Sequence, residues 1–113
     1  MTYVVTATWR AKAGEEAAVL DLVRRVAIAT QQEPGCILFR VHRSRSEAGA
    51  FFLYEEYVSE AAFLEHAASD HVRTLVLEDA VNRLDVRRRE LFDVVPLDAA
   101  EPGADSGAES GTA

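Results

Sequence analysis

Between Glu33 and His71 the chain sets down a helix stop, two adjacent strands and a second helix without a long connector. Glu33-Pro34-Gly35 ends whatever helix precedes it, because proline cannot continue the backbone bonding and glycine permits the reversal. Cys36 to Arg45 then reads as a strand, with Ile37, Phe39 and Val41 on one face and Cys36, Leu38, Arg40 and His42 on the other. Ser46-Glu47-Ala48-Gly49 has hairpin-turn chemistry. Phe51 to Tyr57 is the return strand, with Phe51, Leu53, Glu55 and Tyr57 opposite Phe52, Tyr54 and Glu56.

The flanks complete the pattern. Residues 2–10 are rich in β-branched and aromatic types and form a first strand, with Tyr3, Val5, Ala7 and Trp9 on one face. Gly14-Glu15-Glu16 starts a helix, its acids set against the positive end of the dipole, and Leu20, Val23, Val26, Ala27 and Thr30 recur at helical spacing to about Gln32. Ser59 is a candidate N-cap for a helix through Ala67 or Ala68, and Ser69-Asp70 offers a second cap, so the helix breaks there before Val72, Leu75 and Val76. Val86 to Val95 is the last strand. The order β-α-β-β-α-β predicts an α+β, ferredoxin-like fold with a four-stranded antiparallel sheet and both helices on one face.

At 113 residues the chain holds one domain, placed at residues 1–95. Of the net charge of −7, four acids lie in residues 96–113, which are Pro, Gly, Ala, Ser and acids and are expected to be a disordered tail. Residues 1–95 carry 15 acids against 12 bases, a balance that excludes a nucleic-acid or anionic-membrane binder. No apolar run approaches the ~20 residues that span a bilayer, and the N-terminus lacks a secretion signal, so a soluble cytoplasmic protein is expected. The single Cys36, at a strand start, reads as a small buried hydrophobe. The two middle strands carry apolar groups on both faces, Ile37 and Phe39 against Cys36 and Leu38 in one and Leu53 against Phe52 and Tyr54 in the other, which predicts a homodimer paired through the sheet face left open by the helices.

The helix-ending Pro34-Gly35, the aromatic-acidic strand end Tyr54-Glu55-Glu56-Tyr57, and His66 and His71 around Ser69 together resemble the antibiotic biosynthesis monooxygenase (ABM) family over about residues 1–95. Tyr57 stands where that family usually has a tryptophan. The resemblance implies a dimeric α/β barrel and a cofactor-independent oxygenase acting with dioxygen on a small aromatic phenol or quinol. It implies His66 as the base that accepts a phenolic proton, set beside Tyr54 and Glu56, with Glu56 orienting it. Trp9, Tyr57, Arg40 and His71 are the accompanying candidates for substrate contact. Two other readings stand beside it: an isomerase, cyclase or dehydratase of a carbonyl metabolite using the same histidine, and a non-catalytic dimeric metabolite-binding module in which His66 is bonded to Glu56 or a backbone carbonyl.

No cofactor is expected. Haem-degrading relatives use a helix histidine with an Asn in the first strand and a Trp, and this chain has neither an Asn there nor the Trp. No metal is expected either, because histidines five apart on a continuous helix lie about 140° apart around its axis and converge only across a break at Ser69. Arg87-Arg88-Arg89 alternates across the last strand and is expected to form ion pairs with Glu90, Asp93 or a partner chain.

Overall fold

The computed structural model describes residues 2–98. Four strands, β1 (Tyr3–Ala11), β2 (Cys36–Arg43), β3 (Ala50–Tyr57) and β4 (Leu84–Asp93), form one antiparallel sheet in the order β2-β3-β1-β4. Helices α1 (Glu16–Thr30) and α2 (Glu60–Ala67) complete the β-α-β-β-α-β order, so the fold is the expected ferredoxin-like α+β arrangement. The last strand starts at Leu84 and ends at Asp93, two residues earlier at each end than its composition indicates. Most of the expected tail lies outside the described residues.

Strand pairing assigns every residue to a face. Tyr3, Val5, Ala7 and Trp9 of β1 pair with Tyr57, Glu55, Leu53 and Phe51 of β3, and all eight look toward the helices. The core is built there: Trp9, Phe39, Phe51 and Leu53 from the sheet pack under Val19, Leu22, Val23 and Val26 of α1. Each such aliphatic side chain, once buried, contributes roughly 1.5–3 kcal/mol.

One strand departs from simple alternation. Cys36 pairs with Tyr57 and Leu38 with Glu56, so Ile37 is an inserted bulge residue. Cys36 therefore joins Phe39 on the helix face while Ile37 is 52% exposed, not its face-mate as alternation had it. Burial pushes the Cys36 thiol up to about 11, which keeps it protonated at neutral pH.

The second helical region breaks as its caps require. The Ser59 hydroxyl accepts from Ala62 N–H at 3.1 Å to start α2, and the Ser69 hydroxyl accepts from Val72 N–H at 3.3 Å after it. Beyond Ser69 the chain makes one wide π-helical turn over Val72–Leu77 and a short 3-10 turn over Ala80–Arg83.

Gly35 sets how closely the Glu33 turn approaches α2. A Cβ on Gly35 would lie 2.5 Å from the Ala62 Cβ. Gly35→Ala is therefore expected to push α2 off the turn and to cost about 1–3 kcal/mol, read as a fall in the denaturation midpoint. A variant as stable as the parent would show that this contact does not hold the two elements together.

Candidate functional site

Glu33, His66 and His71 meet on the α2 side of the sheet. Glu33 sits in the turn after α1, its N–H donating to Thr30 O at 2.9 Å and its carbonyl accepting from Cys36 N–H at 3.1 Å. Its carboxylate Oε2 accepts from His66 Nδ1 at 2.9 Å and from His71 Nε2 at 2.6 Å. A carboxylate only accepts, so both ring nitrogens carry the proton. With Nδ1 as donor, the neutral His66 ring presents Nε2 as its lone-pair atom, 3.9 Å from Glu55 Oε1.

His66 is 8% exposed and Glu55 5%, and burial governs both. Desolvation lowers the His66 pKa below its ordinary 6.5, outweighing the Glu33 hydrogen bond and charge that pull it up. Desolvation raises the Glu55 carboxyl to about 7, against the opposing effects of the Tyr57 hydrogen bond and of Arg89. Near neutral pH this buried histidine is uncharged and its acidic neighbour is close to half-protonated, the reverse of an ordinary ion pair.

Both groups face a cavity of about 220 Å³ between β1, β3, β4 and the second helical region, walled by Trp9, Phe39, Leu53, Phe63 and Val72. Ligand sites for drug-sized molecules run to roughly 300–1,000 Å³, so this cavity suits a single small ring. Arg87 and Arg89, both exposed, also line it. A larger groove of about 510 Å³ between α1 and β2 carries Arg24, Arg40 and Arg43 but no acid or imidazole, and so lacks groups for proton transfer.

The expected site residues divide. His66 and the 3%-exposed Trp9 line the cavity. His71 does not line it; it bonds Glu33 at 2.6 Å, and its ring centroid lies 6.0 Å from that of His66. Tyr57 is fully buried behind Glu55, to which its hydroxyl donates at 2.6 Å, so it positions that carboxyl and is not in the cavity lining. Tyr54, Glu56 and Arg40 lie on the opposite face of the sheet, where Tyr54 donates to Glu56 at 2.9 Å and Arg40 donates to His42 at 3.1 Å. The pairing of His66 with Glu56 and Tyr54 is thus corrected to Glu33 and Glu55, because strand alternation turns Glu56 away from the helices. Glu33, Glu55, Arg87 and Arg89 were missed. The period of β3 already put Glu55 in phase with Leu53 and Tyr57. Among the described residues Arg87 and Arg89 form no salt bridge with Glu90 or Asp93.

The geometric objection to a metal also falls. The break at Ser69 brings His66 and His71 together, and one ligand atom from each of Glu33, His66 and His71 lies within 4.8 Å of the others. This two-histidine, one-carboxylate set has the donor chemistry of a divalent transition-metal site.

A family model, antibiotic biosynthesis monooxygenase, matches residues 2–76. The chain belongs to that family. Solved structures share the fold: a crystal structure described as an antibiotic biosynthesis monooxygenase is 29% identical, with TM-score 0.77, covering 85% of this chain and all (100%) of its own. A Shewanella oneidensis protein is 25% identical, with TM-score 0.76 over 80% of this chain and 88% of its own. A Mycobacterium tuberculosis protein is 24% identical, with TM-score 0.76 over 89% and 100% respectively. No curated protein matches the chain. No helix among the described residues is long and apolar enough to cross a membrane.

Proposed function

We propose that this ABM protein is a monooxygenase that oxidises a small aromatic phenol or quinol with dioxygen, without a cofactor. The observation that carries the proposal is a buried, uncharged His66 whose Nδ1–H is fixed by Glu33 and whose ring lines an apolar, ring-sized cavity. Nε2 takes the phenolic proton, and the resulting phenolate is electron-rich enough to pass an electron to dioxygen. One oxygen atom enters the ring and the other leaves as water; oxidation of the phenol to a quinone supplies all four electrons, so no external reductant enters. The apolar walls exclude water from the charged intermediates.

The protein acts as a homodimer paired through the outer sheet face, where Phe52 and Phe92 are 43% and 41% exposed. A second reading, an isomerase of a carbonyl metabolite, draws on Glu55: with a pKa of about 7 beside His66, the two form a donor and an acceptor for moving a proton across a bound ring.

Oxygen dependence separates the two readings. Incubated with a panel of single-ring phenols and quinols, the protein should consume dioxygen and form quinone in air and be inactive under argon. Conversion of a bound carbonyl compound to an isomer at equal rates in air and under argon, with no dioxygen uptake, would replace the oxygenase with the isomerase.

A further inference from the structure

We infer that Arg87 and Arg89 form an anion-binding rim, so that the occupant of the cavity is a single-ring aromatic bearing a carboxylate on the side away from the group that faces His66. The inference rests on the reading of the cavity as a binding site for a small aromatic, and it adds a substrate class to that reading.

Alternation along β4 puts both arginines on the helix face: Arg87 pairs with Trp9 and Arg89 with Ala7, while Arg88 pairs with Thr8 on the other face. Both line the cavity that holds His66 and Glu55. Neither forms a salt bridge among the described residues, and of the arginines that form none they are the two that line this cavity. Among the described residues the one acid that lines the cavity is Glu55, so two guanidinium groups face the space with a single carboxyl among its walls. Partial desolvation, together with the Arg89 charge, disfavours the Arg87 cation, and only the Glu55 charge opposes them. A bound anion would relieve both.

The charges are also separated in the way a two-ended ligand needs. His66 is buried over β3, and the arginines are exposed on β4, two strands away in the sheet, so the strand backbones that carry the two ends are roughly 10 Å apart. That is the length scale of one benzene ring with a substituent at each end. Arg89 is held by stacking its guanidinium over Phe63 at 5.3 Å, which leaves its N–H fork for a carboxylate. A phenolate formed at His66 would lie at the far end, so the rim recognises a second, permanent anion.

Trp9 is the only tryptophan and lines the cavity, so its fluorescence reports occupancy directly. The full chain is titrated with benzoate and with benzamide, its neutral isostere, and each variant is checked for folding by circular dichroism. Benzoate is expected to quench Trp9 with a Kd about tenfold or more below that of benzamide. Arg87→Gln and Arg89→Gln should each weaken benzoate by about tenfold and leave benzamide nearly unchanged, while Arg88→Gln alters neither. Two variants are used because Arg89→Gln also removes the Phe63 stacking. Equal affinity for the two probes, no binding of benzoate, or an equal loss in Arg88→Gln would overturn the inference. Benzoate has no hydroxyl to deprotonate, so its preference can hold while oxygen uptake fails, and oxygen uptake on neutral phenols can hold while the preference fails. The two readings therefore fail separately.

Discussion

His66→Gln is expected to lower oxygen uptake by about 10²–10⁴-fold, the range that a positioned general base contributes. Glutamine can still donate to the Glu33 carboxylate, but it cannot take a proton at neutral pH. The variant thus separates base chemistry from the structural role of the His66–Glu33 bond at 2.9 Å. His66→Ala removes both and should lose activity together with some stability, because the ring packs against Tyr57 at 5.1 Å between centroids. The pH profile gives an independent check. Only neutral His66 is a base, and burial lowers its pKa, so the acid limb of kcat/KM should fall below the ordinary 6.5. Uptake unchanged in His66→Gln, or an acid limb centred well above 6.5, would remove His66 from the mechanism.

A comparably large effect is expected from Glu55→Gln, this time on stability against pH. The Glu55 carboxyl is raised from 4.5 to about 7 in the folded protein. Between those values the folded chain holds a proton that the unfolded chain has released. The contribution of this group to stability is therefore complete below about 4.5 and is lost as pH rises through about 7. The raised value corresponds to a loss on the order of 3 kcal/mol. Glutamine stays neutral throughout, and its amide oxygen can accept the Tyr57 hydroxyl that now bonds Glu55. Denaturant titrations at a series of pH values should show the parent losing stability relative to Glu55→Gln as pH rises from 4.5 to 8. His66 works in the opposite sense, its contribution being present above 6.5 and lost as pH falls, but it is common to both proteins and cancels in the difference. Parallel curves would mean that the buried carboxyl titrates as in water. In the oxygenase, ionised Glu55 would also oppose phenolate formation 3.9 Å from His66 Nε2, so activity in the parent should decline above pH 7 and this decline should vanish in Glu55→Gln.

The architecture was legible because each element announces itself locally. Two-residue alternation in β1 and β3, the helical spacing of Val23, Val26 and Thr30, and the caps at Ser59 and Ser69 each require only neighbours in the chain. The Ile37 bulge was hidden, since an extra residue in a strand leaves no compositional mark and shows only in what it pairs with. The candidate site was read less well, for two different reasons. Glu33 reaches His66 across 33 positions of sequence through the packing of a turn on α2, a contact no local pattern encodes. Glu55 was within reach of the argument: its strand phase put it with Leu53 and Tyr57, and that phase excludes Glu56 and Tyr54 from the His66 side. Arg87 and Arg89 alternate correctly toward the helices, but their environment depends on the cavity behind them.

Strand β4 has a neighbour along only one side, at the margin of the sheet, and it alone brings the guanidinium groups to the cavity. The histidine and carboxylates belong to β3, α2 and the turn before β2. On the proposed function, reactivity and selectivity are housed in different parts of the polypeptide, so changes at positions 87 and 89 would alter which substrate is taken and leave the proton-handling groups intact.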